Sequence, residues 1–157
     1  MTRFGELLRV LGSSGVDFIL VGGVAAAAHG SARTTQDIDI VYRRAEDNYQ
    51  KLAGALAPMH PYLRGAPAGL PFRLDLATIR GGLNFTLTTD LGWIDLLGEI
   101  AGGGNYENLI AHSIPVEAFG VHCQVLGLDA LIDAKKSAGR PKDLEAIAEL
   151  ESLRRRK

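Results

Sequence analysis

The sequence predicts an α+β fold in which helices flank a mixed, twisted sheet and two further helices close the chain. Runs of alternating apolar and polar residues, typical of half-buried strands, recur through the first 126 residues. Alanine-rich stretches and apolar residues at helical spacing separate these runs. The length of 157 residues fits one domain over 1–157, with a core at about 4–126 and a helical segment at about 127–156.

The first elements lead from a helix to a strand that ends in two glycines. Apolar residues at helical spacing predict a helix over 4–11, which the glycines that follow should end. Residues 17–21 are a short apolar run and predict a buried strand. This strand runs directly into Gly22-Gly23, and the alanine-rich residues 24–29 predict a helix after the glycine pair.

The next part of the chain alternates between strand and helix patterns. Strict alternation over 37–42 predicts a strand, and residues 45–57 suit a helix. Proline and glycine are frequent over 58–71, which predicts an irregular loop. Residues 74–79 alternate again and predict another strand.

Two hairpins are predicted in the second half of the chain. Residues 84–89 and 93–97 are β-rich runs that flank an Asp-Leu-Gly turn. A glycine-rich connection follows. Residues 114–118 and 121–126 then form a second pair of runs, joined by a Phe-Gly turn.

Two helices are predicted to finish the chain, over 128–138 and 141–155. Gly139 suits the position just past the end of the first helix, where a left-handed backbone is common. Pro141 suits the first turn of the second helix, where its missing N–H has no partner to lose. The helical segment therefore has clear internal boundaries.

An acid pair lies on the strand predicted over 37–42. Because side chains alternate along a strand, Asp37 and Asp39 should project to one side of the sheet. Two adjacent carboxylates repel each other unless a cation or a donor lies between them, and Mg²⁺ prefers such oxygen ligands. The pattern indicates a metal site, although alternating aspartates on a strand are also typical of a solvated face.

A third carboxylate on a neighbouring strand would complete such a site. Asp95 is an acid inside an otherwise apolar run, where an unpaired carboxylate is costly to bury, so it should have a partner. Asp75 is a rival by the same argument, since it also lies between apolar residues. Asp95 could instead cap a turn or pair with an arginine.

The glycine pair indicates a phosphate-binding turn. A strand that ends at Gly22-Gly23 and opens a helix presents backbone N–H groups to an anion. Glycine permits positive φ and a close approach of a phosphate to the backbone. A tight turn without a ligand is the simpler interpretation of the glycines alone. The acid pair lies close enough along the chain for the turn and the acids to meet at one edge of the sheet.

The spacing of these motifs resembles that of the nucleotidyltransferase superfamily of the polymerase-beta type. The signature is a hydrophobic residue with a glycine pair, a short spacer, and acid-hydrophobic-acid, here Val-Gly-Gly at 21–23 and Asp-Ile-Asp at 37–39. The stretch 21–39 and the segment 131–144 are similar to small bacterial members related to abortive-infection toxins. Together with Asp95, the similar regions span about 4–153.

The resemblance implies a minimal nucleotidyltransferase fold with C-terminal helices and a site in which three carboxylates bind two Mg²⁺ ions. Asp37 and Asp39 would ligate both ions, while Asp95 would ligate one ion and help to activate an acceptor hydroxyl. Gly22-Gly23 would contact the nucleotide phosphates. The implied reaction transfers a nucleotide from an NTP, with ATP as the expected donor, to a hydroxyl of RNA, protein or a small molecule.

Two basic residues are further candidates for nucleotide binding. Arg33 and Lys135 could reach the triphosphate, Arg33 through two parallel hydrogen bonds. Each is also explained by a surface charge or a structural ion pair. The resemblance further implies a role as the toxin of a toxin–antitoxin pair, with tRNA or a protein as acceptor. An antitoxin or a second copy of the chain would then be a partner.

The composition indicates which kinds of partner and which cellular compartment suit this protein. The net charge of −1 indicates no general attraction to nucleic acid, although 8 of the 17 Lys and Arg residues fall in the last 23 positions and predict a basic edge. Cys123 is the only cysteine, which excludes an intrachain disulfide and favours a reducing compartment. The polar start does not resemble a signal peptide, and no apolar run approaches the ~20 residues that span a bilayer. We predict a cytoplasmic protein without a membrane partner.

Two other functions fit parts of the same pattern. A binding or regulatory module could keep the fold and nucleotide affinity without turnover. A nucleic-acid binder could use the basic residues at the end of the chain. The intact acid pair and Asp95 favour the enzyme over both.

Overall fold

Over residues 2–156, the part that the computed structural model describes, the chain forms seven α-helices and nine strands. The helices are α1 (Phe4–Ser13), α2 (Gly22–Ala28), α3 (Glu46–Leu56), α4 (Leu76–Gly81), α5 (Tyr106–Leu109), α6 (Leu128–Ala138) and α7 (Leu144–Arg156). The strands are β1 (Phe18–Val21), β2 (Asp37–Tyr42), β3 (Tyr62–Leu63), β4 (Phe85–Thr89), β5 (Gly92–Leu97), β6 (Glu99–Ile100), β7 (Gly104–Asn105), β8 (Ser113–Ala118) and β9 (Val121–Leu126). Short 3₁₀ turns lie at Ala57–Met59, Ile110–His112 and Pro141–Asp143.

Seven strands form one mixed sheet, in the order β3-β4-β5-β2-β1-β9-β8. The pairs β1–β9 and β2–β5 are parallel, and the other neighbours in this sheet are antiparallel. β6 and β7 form a separate two-stranded ribbon. The predicted α+β fold, a mixed sheet flanked by helices, is confirmed.

The register of the two central strands β2 and β5 is set by burial. Apolar residues that alternate with the acids along these strands are fully buried: Ile38, Ile40, Ile94 and Leu96. Each such side chain contributes about 1.5–3 kcal/mol through its removal from water. A slip by one residue would move the acids into the core and the apolar residues out of it. The hydrophobic core therefore holds the carboxylates on the opposite face of the sheet.

The prediction of a strand over 74–79 is wrong, because helix α4 begins within this segment. Asp75 is the N-cap residue of that helix, and its side chain accepts a hydrogen bond of 2.9 Å from the Thr78 backbone N–H. Leu76 and Ile79 lie one helical turn apart, and Ile79 is fully buried. In a short segment the same apolar positions suit a strand or a helix, and the aspartate cap favours the helix.

The loop predicted over 58–71 is partly wrong, since it contains the edge strand β3. Tyr62 pairs with Thr88 and Leu63 with Leu87 on β4. A two-residue strand between prolines carries too short a pattern to be recognised from the sequence. The glycine-rich connection after β5 also pairs, as the ribbon of β6 and β7, and the short helix α5 follows it without having been predicted.

The predicted hairpins and the first closing helix are confirmed. β4 pairs with β5 and β8 with β9, each as an antiparallel hairpin. Phe119 and Gly120 both have positive φ, as two-residue hairpin turns require. Helix α6 has the predicted bounds, and Gly139 ends it in the left-handed conformation with φ of 65°. The second closing helix begins later than predicted, because Pro141–Asp143 form a 3₁₀ turn before α7.

The helices pack in two groups around the sheet. Helix α3 contacts α1 and α4, whereas α6 contacts α2 and α7. In the second group, the C-terminal helices lie on the side of the molecule where α2 begins with the glycine pair. None of the helices described over residues 2–156 combines the length and the apolar character needed to cross a bilayer.

Candidate active site

Three carboxylates converge on the face of the sheet opposite the buried isoleucines. β2 and β5 are parallel neighbours, and their register places Asp39 beside Asp95. Asp37 lies two residues before Asp39 on the same face of β2. One oxygen from each of the three carboxylates lies within 4.8 Å of the others. The structure thus brings the three predicted residues together.

The rival third carboxylate, Asp75, lies outside this cluster. Its side chain caps helix α4, and hydrogen bonds from Thr78 hold the pKa of Asp75 below its usual value. The capping role supplies the partner that the sequence analysis required for an aspartate in an apolar setting. Of the two candidates for the third position, the structure therefore places only Asp95 beside Asp37 and Asp39.

The cluster carries unfavourable negative charge that a cation would relieve. Burial, reinforced by the charges of Asp37 and Asp95, raises the pKa of Asp39 to about 8. Burial also raises the pKa of Asp95, although the Arg64 charge opposes the rise. The Oδ1 atoms of Asp39 and Asp95 are buried and accept no hydrogen bond. Hard oxygen donors with unused lone pairs suit a divalent cation such as Mg²⁺, so these residues fit a metal ion.

Arg64 touches the cluster and was missed in the sequence analysis. Its Nη2 lies 2.9 Å from Asp95 Oδ1, an ion contact without the alignment of a hydrogen bond, and its Nη1 lies 3.6 Å from Asp37 Oδ2. The guanidinium stacks 4.7 Å from the centre of the Trp93 ring. No local signal in the sequence reveals Arg64, because the strand before it, β3, has only two residues.

The glycine pair meets the acids at one edge of the sheet, as predicted. Gly22 has φ of +68°, and a Cβ there would collide with Asp39 Oδ2. A Cβ at Gly23 would lie 2.9 Å from Thr35 Oγ1. Both positions therefore need glycine, the first for its backbone conformation and both for the space that the neighbouring side chains occupy. Asp39 is packed directly against the turn.

A cavity of about 240 Å³ opens between this edge of the sheet and helix α6. Gly22 and Asp39 line one part of it, and Lys135 and Arg140 line another. Its apolar wall includes Val21, Leu97, Leu126 and Leu131. The cavity thus joins a carboxylate, a glycine turn and two cations around an apolar surface, which is the composition of a small-molecule site.

The two predicted basic residues differ in their placement. Lys135 lines both this cavity and a neighbouring hollow of about 310 Å³. Arg33 lines the neighbouring hollow together with Gly23. The Nη1 atom of Arg33 lies 3.6 Å from Glu145 Oε2, and both side chains are exposed. Lys135 therefore shares a cavity with Asp39, whereas Arg33 lines only the neighbouring hollow.

Asp143 holds both cations of the cavity wall in place. Arg140 Nε donates a hydrogen bond of 2.7 Å to Asp143 Oδ2, and Lys135 Nζ lies 3.5 Å from Asp143 Oδ1. Burial would raise the pKa of Asp143, but the Arg140 hydrogen bond and the Lys135 charge outweigh it and hold the pKa below the usual 3.8. This buried carboxylate links α6 to the 3₁₀ turn before α7 and positions the basic side of the cavity.

We expect Asp143→Asn to destabilise the protein by about 2 kcal/mol at pH 7, the typical worth of a charged hydrogen bond. Because the folded-state pKa of Asp143 is lowered, its stabilisation is present above pH 3.8 and is lost as the pH falls through the folded-state value. The difference between variant and wild type should therefore shrink in acid. Urea unfolding at pH 7 and pH 3 measures it. Asp129→Asn, which changes an exposed aspartate on α6, is the control; an equal loss in both variants would contradict the prediction.

Comparison with known proteins adds evidence on the fold. No protein-family model matches the sequence, and no curated protein sequence matches it. Among solved structures, a crystal structure of a candidate nucleotidyltransferase from Thermotoga maritima is similar, with a TM-score of 0.59 and 16% sequence identity. The match covers 97% of this chain and 96% of that one. At this identity the likeness concerns the fold: over nearly its whole length, the chain has the α+β fold of that candidate nucleotidyltransferase.

Proposed function

We propose that this protein transfers a nucleotide from an NTP to a hydroxyl group, with a divalent metal ion held by its acid cluster. The observation that carries the proposal is the convergence of Asp37, Asp39 and Asp95 within 4.8 Å, beside the glycine turn. Asp39 Oδ1 is buried without a hydrogen bond, and such an oxygen is costly unless a ligand satisfies it. The fold shared with a candidate nucleotidyltransferase is consistent with this reaction.

The acids would hold Mg²⁺ between themselves and the nucleotide phosphates. Asp37 and Asp39 would be the ligands from β2, and Asp95 would contribute a ligand from β5. The chemistry that a bound Mg²⁺ supplies at such a site is neutralisation of phosphate charge in the transition state. Asp39 lies deepest against the glycine turn, so its carboxylate joins the acid cluster to the nucleotide cavity.

The transfer reaction requires bond changes in the two substrates and specific roles for residues of this protein. The acceptor oxygen forms a bond to the α-phosphorus, the bond from that phosphorus to the bridging oxygen breaks, and pyrophosphate leaves. The acceptor proton passes to the carboxylate of Asp95. Gly22 leaves space for phosphate oxygens, and Lys135 and Arg140 neutralise them from the cavity wall. Most of the rate enhancement then comes from positioning.

The cavity and the resemblance support ATP as the donor, and the resemblance alone suggests the classes of acceptor. The apolar wall beside Lys135 suits a flat base, and ATP is the expected NTP. Arg33 lines the neighbouring hollow with Gly23, where it would contact a polyphosphate that extends past the glycine turn. The proposal has three further parts. The acceptor hydroxyl belongs to tRNA, a protein or a small molecule. The protein acts as a toxin with an antitoxin partner, and it is located in the cytoplasm, where Cys123 stays reduced.

The proposal is tested by incubating the protein with NTPs, Mg²⁺ and cell extract. We expect an acceptor that gains label from α-³²P-NTP and none from γ-³²P-NTP, because the nucleotide is transferred and pyrophosphate leaves. The label should disappear with EDTA and in an Asp37→Asn/Asp39→Asn variant. Asp90→Asn is a matched control, since that aspartate is exposed and lies outside the cluster. Equal labelling by the double variant and the wild type would reject the assignment.

A nucleotide-binding module without turnover is the second candidate, and Arg64 is the observation that favours it. A guanidinium already in contact with two of the acids partly neutralises them without a metal. Mg²⁺-dependent retention of NTP without any labelled acceptor would support the module. The nucleic-acid binder is less favoured, because Lys136 pairs with Glu151 and Arg154 with Asp129, which neutralises part of the basic edge.

A further inference from the structure

The position of Arg64 bears on how many metal ions the acid cluster can hold. Its guanidinium contacts Asp95 at 2.9 Å and Asp37 at 3.6 Å, so one cationic group spans two of the three carboxylates. Asp39 instead faces the cavity beside Gly22. The cluster therefore has two sides, one already in contact with a cation and one open to the nucleotide cavity.

Several interactions anchor Arg64 where it lies. Its Nη2 donates a hydrogen bond of 2.7 Å to the Leu87 carbonyl, and its backbone N–H donates one of 3.0 Å to the Thr86 carbonyl. The guanidinium stacks on Trp93, and only 17% of the side chain is exposed. Displacing Arg64 from the acids would disrupt these contacts as well as the ion contacts. We therefore regard the side chain as a fixed part of the site.

The burial of Arg64 is also incompletely compensated. Its Nε atom is buried and has no hydrogen-bond acceptor. A buried donor without a partner is destabilising, and an apolar residue of similar length would avoid that cost. An arginine at this position is thus poorly explained by fold stability alone, which favours a role in the chemistry of the cluster.

Before a nucleotide binds, one divalent ion is enough to balance the charge of the cluster. Three ionised carboxylates carry a formal charge of −3, and Arg64 contributes +1, which leaves −2 for a metal to match. One divalent ion would bring the cluster to zero. A second would stand close to the guanidinium, with like charges repelling at short range in a partly buried site.

We propose that Arg64 takes the place of a second, acceptor-side metal ion, so that this site binds one divalent ion, on the Asp39 side. This inference rests on the proposed function and differs from the two ions that the resemblance implies. Arg64 acts as a positioning residue: it holds Asp95 where the acceptor hydroxyl delivers its proton, and it supplies a fixed positive charge beside the acceptor oxygen.

The test counts metal ions directly, without reference to activity. Native mass spectrometry would be recorded on the full chain with Mn²⁺ and an ATP analogue that has a methylene group between its α and β phosphates. We expect one Mn²⁺ per nucleotide-bound wild-type chain and two in Arg64→Gln, because removal of the guanidinium opens the second position. Arg64→Met is a second variant, which keeps the packing against Trp93. It should also bind two ions, and it provides the test if Arg64→Gln fails to fold.

Arg44→Gln is the matched control. Arg44 also stacks on aromatic rings and donates hydrogen bonds to backbone carbonyls, but it lies by Tyr42 and Tyr49 on the buried side of β2. It should keep one ion. Two ions in the wild type, or a single ion in both Arg64 variants, would overturn the inference. If the wild type retained neither analogue nor Mn²⁺, the proposed function itself would be rejected. The absence of bound nucleotide distinguishes this result from a failure of the one-ion inference alone.

Discussion

Asp39→Asn is expected to abolish nucleotide transfer and, at the same time, to stabilise the metal-free protein. Burial and the charges of Asp37 and Asp95 raise the pKa of Asp39 to about 8. Because the folded-state pKa lies above the unfolded value of 3.8, the folded protein loses stability relative to the unfolded chain as the pH rises from about 4 to 8. Asparagine does not ionise, so the variant should avoid this loss.

The gain in stability should be about 1–2 kcal/mol at pH 8 and smaller at pH 5. This gain is only a modest part of the free energy that corresponds to the pKa shift of Asp39, because the three acids titrate together. Transfer should fall by at least about 100-fold, since a neutral amide is a poor metal ligand and stabilises less charge in the transition state. This is a trade of stability for function at the candidate site.

Thermal unfolding in EDTA at pH 5 and pH 8, together with the α-label transfer assay, measures both effects. In the wild type, Mg²⁺ with the ATP analogue should raise the melting temperature, whereas the asparagine variant should respond little. Asp90→Asn serves again as the control and should alter neither property. A variant that melts below the wild type at pH 8 in EDTA, or one that keeps the Mg²⁺ response, would contradict the assigned role of Asp39.

Gly22→Ala should remove transfer almost as completely, by a steric route. The added Cβ would collide with Asp39 Oδ2, so the carboxylate would have to leave its position beside the turn. The backbone at φ of +68° adds a cost of about 1–2 kcal/mol for any residue with a Cβ. We expect loss of Mg²⁺ binding and lower stability together.

Gly139→Ala separates these two effects. Gly139 has nearly the same φ, +65°, but its Cβ would meet nothing within 4 Å. It should lose about 1 kcal/mol of stability from backbone strain and keep full transfer. Urea unfolding and the α-label assay on the two alanine variants give the comparison. Wild-type transfer by Gly22→Ala would show that Asp39 tolerates displacement, and the glycine would then have no role in the site.

Local patterns in the sequence were enough to predict much of the site. Alternation over 37–42 indicates a strand whose two acids share a face, and β2 has the predicted bounds. The glycine pair follows a buried strand, and Gly139 ends α6 as expected. These features depend on backbone periodicity and on the conformational freedom of glycine, which act within a few residues along the chain.

The local pattern alone could not decide between Asp95 and Asp75, and the tertiary structure gives the physical reason for their different positions. Both aspartates lie between apolar residues, and the residues around them suit a strand equally well. Asp75 became a helix cap because the segment after it buries Ile79 one turn later. Asp95 reached the acids because β5 pairs beside β2 in the register that buries Ile94. The resemblance selected Asp95, whereas the local pattern did not.

Arg64 shows most clearly where local pattern ends. Nothing near it in the sequence indicates contact with acids more than 25 residues away on either side. Its position depends on the pairing of the two-residue strand β3 with β4 at the sheet edge. Periodicity along the chain reports which face a side chain occupies. Which distant strands become neighbours depends on the burial of apolar surface summed over the whole sheet, and that sum exists only once the chain has folded.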